Sequence, residues 1–150
     1  MCLYIREVIM ENPNTTNTTK SQINPKSQIQ NTEVKMSEKY YNLKDRTFKF
    51  AQRIIDIVEQ LPNNTRCEII GRQLTKAGTS IGANVEEADG TLTKKDFVNK
   101  TVIARKEAKE TRYWLRLSSG RYIEEKDIIM DIKECQEIIS ILSAIISKSR

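Results

Sequence analysis

The sequence predicts an all-α protein: an antiparallel up-down-up-down four-helix bundle behind a disordered N-terminal extension. Three observations carry that expectation. After Asn42, apolar residues recur at spacings of 3 and 4 through four consecutive segments, the period of one helix face. Cap and turn residues separate the segments at short intervals, and short connections make neighbouring helices antiparallel. Nowhere after residue 40 do apolar and polar residues alternate as a half-buried strand requires.

Residues 11–35 are Asn, Thr, Ser and Gln with two prolines and almost nothing to bury. Such a composition cannot offset the entropy of ordering. Residues 1–41 are therefore expected to form a disordered extension and 42–150 the bundle. Met36-Ser37-Glu38-Lys39 reads as a natural start, which would make the preceding residues an upstream extension.

In the first segment Leu43, Thr47, Phe50, Ile54, Val58 and Leu61 form the stripe, and Pro62 stops it before the Asn63-Asn64 turn. The second opens on Thr65-Arg66-Cys67-Glu68, a capping-box pattern. Its stripe is Ile70, Leu74, Ala77, Ile81, Val85 and Ala88, with Gly90 as C-terminal cap. Thr93-Lys94-Lys95-Asp96 caps the third, whose stripe is Phe97, Thr101, Ala104, Ala108, Thr111 and Leu115, with Trp114 beside it and Gly120 after it. Glu124, Glu125 and Asp127 suit the N-terminus of the fourth. Its stripe is Ile128, Ile132, Cys135, Ile139, Leu142 and Ile146.

Composition bounds the chemistry. The 150-residue chain is long enough for one domain with a core. It has no histidine, which removes the commonest general base and transition-metal ligand. The three cysteines, Cys2, Cys67 and Cys135, are far apart; neither a zinc site nor a disulfide framework is expected, and a cytoplasmic location fits. No segment has the ~18–20 apolar residues of a membrane span. The net charge of +5 permits contact with phosphate backbones without demanding it.

The segment Lys76–Gly90 contains AGTSIGAN, with the glycines and hydroxyls of a phosphate-cradling loop. Such a loop needs G-x-x-x-x-G-K-[ST] or G-x-G-x-x-G between a strand and a helix. Here Gly78 and Gly82 are spaced G-x-x-x-G, and no strand precedes them. Helical geometry explains them better. Gly71, Thr75, Gly78 and Gly82 fall at i, i+4, i+7 and i+11, a smooth stripe beside the core stripe. A glycine inside a helix costs about 1 kcal/mol relative to alanine, and close approach of a neighbouring helix offsets that by dispersion contacts.

Two blocks resemble a known family. QLTKAGTSIGANVEEADG at Gln73–Gly90 is followed by DFVNKTVIARKEAKETRYWLRL at Asp96–Leu117, which carries Glu107, Glu110, Trp114 and Leu115 as E-x-x-E-x-x-x-W-L. Together they are similar to the four-helix-bundle proteins encoded in 23S rRNA intervening sequences, over roughly Phe48 to Ile145. The resemblance implies a small bacterial bundle that assembles into a ring-like homopentamer, with no established catalytic activity and no cofactor. A related branch, the accessory variability protein of diversity-generating retroelements, is basic, binds nucleic acid and partners a reverse transcriptase.

Arg105, Lys109, Arg112 and Arg116 lie at i, i+4, i+7 and i+11, one basic line on the third helix. Lys94, Lys95 and Lys100 add charge near its start and Arg121 near its end. Such a line neutralises phosphates of RNA or DNA without reading bases; the plain alternative is a solvated face. Lys106–Glu110 is an ordinary i, i+4 pair. Glu86, Glu87, Glu107 and Glu110 raise a carboxylate-metal enzyme, but bundle sites of that kind use E-x-x-H pairs. Glu107 and Glu110 are instead expected to meet a cation of another helix or subunit, with Arg53 and Arg72 as candidates. The isoleucines of the fourth segment, Ile129 and Ile138 among them, spread beyond the ~100° stripe of a monomeric bundle helix, so a second subunit is expected to cover part of them. A non-enzymatic homo-oligomer that contacts nucleic acid follows, with a protein-interaction scaffold as the alternative.

Overall fold

The structure, a computed structural model, describes residues 43–149, and every regular element among them is a helix. The proposed extension at 1–41 and the Met36 start lie outside the described residues. Helix α1 covers residues 43–59; α2 is Thr65–Asp89, α3 Lys94–Ser118 and α4 Glu125–Lys148.

Contacts across the helices fix the order in space. Moving up α2 from Gly71 to Gly78 to Gly82, the facing α1 residues descend from Val58 to Ile54 to Thr47, so the pair is antiparallel. Arg46 reaches Glu134 and Glu137, while Arg53 reaches Asp131 and Asp127, so α1 and α4 also run opposite ways. α3 packs against both α2 and α4. This is the bundle that the periodicity predicts.

All six stripe residues expected on α2 and all six on α3 are buried. The core hydroxyls do not stay unsatisfied. Thr47, Thr101, Thr111 and Ser118 each donate to the carbonyl four residues back, at 2.8–2.9 Å. Each hydroxyl is thus bonded within its own helix. On α1 the stripe turns slightly from the sequence reading: Ile57 is buried while Val58 is only partly so.

The glycine-bearing segment is the middle of α2, not a phosphate loop. A Cβ on Gly78 would meet Ile54 at 2.8 Å, and one on Gly71 would meet Val58 at 3.1 Å. The smooth stripe is where α1 approaches.

One helix end differs from expectation. The α2 N-cap is Asn64, one residue before the expected Thr65; its side chain accepts from the Arg66 and Cys67 amides at 3.1 Å. Glu68 therefore falls one residue too far along to close a capping box, and it pairs with Arg72 instead. Gly90 is the C-cap, but with φ −86° it uses a conformation open to any residue. Thr93 caps α3 as read, accepting from the Asp96 amide at 3.1 Å while its hydroxyl donates to the Asp96 carboxylate at 2.6 Å. Gly120, at φ +69°, makes the turn after α3 and donates to the Ile123 carbonyl at 2.8 Å.

Candidate nucleic-acid interface

Charge is unevenly distributed among the helices. By sequence, α3 carries eight Lys and Arg against three Asp and Glu. α2 carries three against four, and α4 three against five. The cations of α1 have partners: Lys44 on Glu86 and Asp89, Arg46 on Glu134 and Glu137, Lys49 on Asp45, Arg53 on Asp131. These bonds hold Lys44, chiefly through Asp89 and then Glu86, and Arg46, chiefly through Glu134, protonated well above their ordinary ranges.

α3 differs. Two bonds orient it. Lys100 pairs with Glu87, which sets that flank toward α2. Arg112 donates to the Gln136 side chain, which sets the opposite flank toward α4. Arg105, Lys109 and Arg116 share the Arg112 flank at helical spacing. None of these three has an ion-pair partner among the described residues. Lys109, Arg112, Tyr113, Arg116 and Leu117 line one open cleft of about 340 Å³. Four of the expected basic residues are thus brought into one row, and three of them into this cleft.

The other expected cations lie elsewhere. Lys100 is drawn off by Glu87. Lys95 is exposed at the far end of α3, ~30 Å from Arg116 at 1.5 Å per residue. Arg121, in the loop after α3, stands 5.7 Å from the Tyr122 ring centroid.

Glu107, Glu110 and Trp114 lie on the α2-facing flank with Lys100. The expected cation partners are not theirs: Arg72 pairs with Glu68 and Arg53 with Asp131. Nor does Lys106 pair with Glu110. Glu110 accepts from Trp114 Nε1 at 3.3 Å, and Trp114 meets Tyr113 edge-on, centroids 5.0 Å apart at 76°. No group of three or more His, Cys, Asp or Glu that could hold a metal occurs among the described residues. No described helix is long and apolar enough to cross a membrane.

The apolar breadth of α4 is largely taken up inside the bundle. Ile138 is fully buried because it sits on the α1-facing flank near Glu134 and Asp131; its role is helix packing. Ile129 is half-buried. Cys67 and Cys135 are free thiols, both buried. Cys135 Sγ donates to the Ala108 carbonyl at 3.1 Å, and burial pushes its pKa up to about 12, so it is no nucleophile near neutrality.

Sequence reasoning did not single out Tyr113, Leu117 or Gln136. The signal for the first was the run Arg112-Tyr113-Trp114-Leu115-Arg116, an aromatic pair set between arginines.

Known proteins resemble this chain as follows. The family profile of the 23S rRNA-intervening sequence protein matches residues 39–144. A 1.70 Å crystal structure of a protein of unknown function from the S23 ribosomal protein family, from Bacteroides thetaiotaomicron, is 38% identical, with a TM-score of 0.65; the match covers 69% of this chain and 97% of that one. No curated protein matches.

Proposed function

This chain belongs to the 23S rRNA-intervening sequence protein family, and from that premise we propose a non-enzymatic, homo-oligomeric bundle that contacts RNA or DNA phosphates through the basic row of α3. The observation that carries the proposal is the row itself. Arg105, Lys109 and Arg116 stand without ion-pair partners among the described residues, on the helix that holds the largest excess of cations. The four cations of α1, by contrast, are all matched to carboxylates. A row of unmatched cations at helical pitch attracts a polyanion by releasing its condensed counterions.

Homo-oligomerisation is the second half of the proposal. Trp114 is half-buried in the monomer, and Ile69 is exposed, which supports a protein contact along the α2–α3 side. Five subunits is the number that family resemblance supplies. A ring would repeat the basic row, and avidity would multiply a weak single contact. The buried free thiols suit a reducing cytoplasm. The same two apolar residues favour the competing reading, a scaffold for a protein such as a reverse transcriptase.

Titration of a labelled RNA against salt tests the first half. Binding should weaken as salt rises and be lost in Arg105→Glu/Lys109→Glu/Arg116→Glu. Affinity that ignores both salt and the reversals overturns it. Light scattering tests the second: a clean monomer at micromolar concentration removes the oligomer.

A further inference from the structure

Resting on the nucleic-acid reading of α3, we infer that the cleft takes an unpaired strand, with a base stacked on Tyr113 and the flanking phosphates against Lys109 and Arg116. Tyr113 is 59% exposed. It stands four residues after Lys109 and three before Arg116, so all three project from neighbouring positions on one side of the helix. Together with Arg112 and Leu117 they line the cleft. The tyrosine hydroxyl makes no hydrogen bond among the described residues, so nothing there turns the ring away from solvent.

The ring is supported from behind. Trp114 meets it edge-on at 5.0 Å, and Trp114 is itself bonded to Glu110 at 3.3 Å. Arg112 is held by Gln136. A tyrosine has few rotatable bonds, so a braced ring loses little entropy when a partner covers it.

The chemistry of the lining selects the ligand. A duplex offers phosphates to the cations but keeps its base faces within its own stack, so Tyr113 and Leu117 would gain little from it. An unpaired strand offers both phosphates and free base faces. Cations flanking an aromatic platform match the second ligand. The cleft is open, so a nucleotide would lie on it without being enclosed, and stacking alone reads no sequence.

The test compares a labelled oligouridylate with a hairpin duplex RNA carrying the same number of phosphates, at one salt concentration. The proteins are wild type, Tyr113→Phe, Tyr113→Ala and the triple reversal Arg105→Glu/Lys109→Glu/Arg116→Glu. Tyr113→Ala should weaken oligouridylate binding about 5- to 100-fold and leave duplex binding within about twofold. Tyr113→Phe should bind as wild type, which also separates loss of stacking from loss of fold. An equal loss on both RNAs, or none on either, overturns the inference. If the triple reversal abolishes binding while Tyr113→Ala changes nothing, the stacked base is wrong and the phosphate row stands. If neither variant changes binding, both are wrong.

Discussion

A Cβ placed on Gly78 would lie 2.8 Å from Ile54 Cγ2 and 3.1 Å from Ile54 Cβ, so the helix-to-helix distance between α1 and α2 is set by a missing methyl group. Ile54 is fully buried and cannot swing away. Gly82 is a contrast in the same stripe: the atoms nearest its Cβ would be the Thr47 backbone and hydroxyl, at 3.5–3.6 Å, ordinary contact. Gly78→Ala should therefore destabilise by up to about 2 kcal/mol, the overpacking penalty of about 1–3 kcal/mol less the helix-propensity gain of about 1 kcal/mol. Gly82→Ala should be neutral or stabilise by up to about 1 kcal/mol. Urea midpoints at constant m-value decide it. Equal stability of the two variants would show that α1 does not pack this closely.

The cap of α2 gives a second prediction. Asn64 accepts two amide hydrogen bonds, whereas Thr65 accepts none from the first turn. Asn64→Ala should cost about 1 kcal/mol and Thr65→Ala clearly less. The reverse order would restore the capping box that begins at Thr65.

Cys135 makes alkaline stability titrate. Its folded pKa is raised, from 9.0 to about 12. A raised group favours the protonated fold, so its contribution is intact below the unfolded value and declines as pH rises from there through the folded value. The stability of wild type should fall relative to Cys135→Ala between pH 9 and 11, measured by urea unfolding. Below pH 8 the difference should be flat. A difference that stays constant to pH 11 would mean the thiol is not held neutral by burial.

Salt dependence gives a fourth prediction. Each cation removed from the row should reduce the slope of log affinity against log salt by roughly one unit or slightly less. Lys109→Ala and Arg116→Ala should each do so, and Lys95→Ala, far along α3, should do so less. Identical slopes in all three variants would mean that phosphate contact is spread over the molecule.

The fold was legible because periodicity states directly which face of a helix is apolar. The stripes on α2 and α3 needed no partner to identify them. What periodicity cannot state is how far a helix turns about its own axis when neighbours close on it. Ile57 and Val58 are adjacent and both apolar; in the folded chain Val58 lies against Gly71 and stays partly exposed, while Ile57 goes fully inside. The stripe of α4 is broad in part because α4 has neighbours on two flanks: Ile138 serves the α1 side, while Ile129 stays half-buried. The basic row was legible from spacing alone, but its pairing was not. Lys100 and Lys109 are both on α3, and only the neighbouring Glu87 neutralises the first. Arg53 was free to be assigned to Glu107 or Glu110 until α4 placed Asp131 beside it. Tyr113 carries no signal of its own in the periodicity, because an outward aromatic breaks no pattern.

The cations of α1 close onto carboxylates while most of those on α3, across the bundle, do not. The described bundle accordingly has a permanent electric dipole whose positive end runs along α3. Near any strong negative field, such a body experiences a torque as well as an attraction. It would rotate that edge forward while still some ångströms short of touching, so encounters begin already oriented and fewer collisions are wasted.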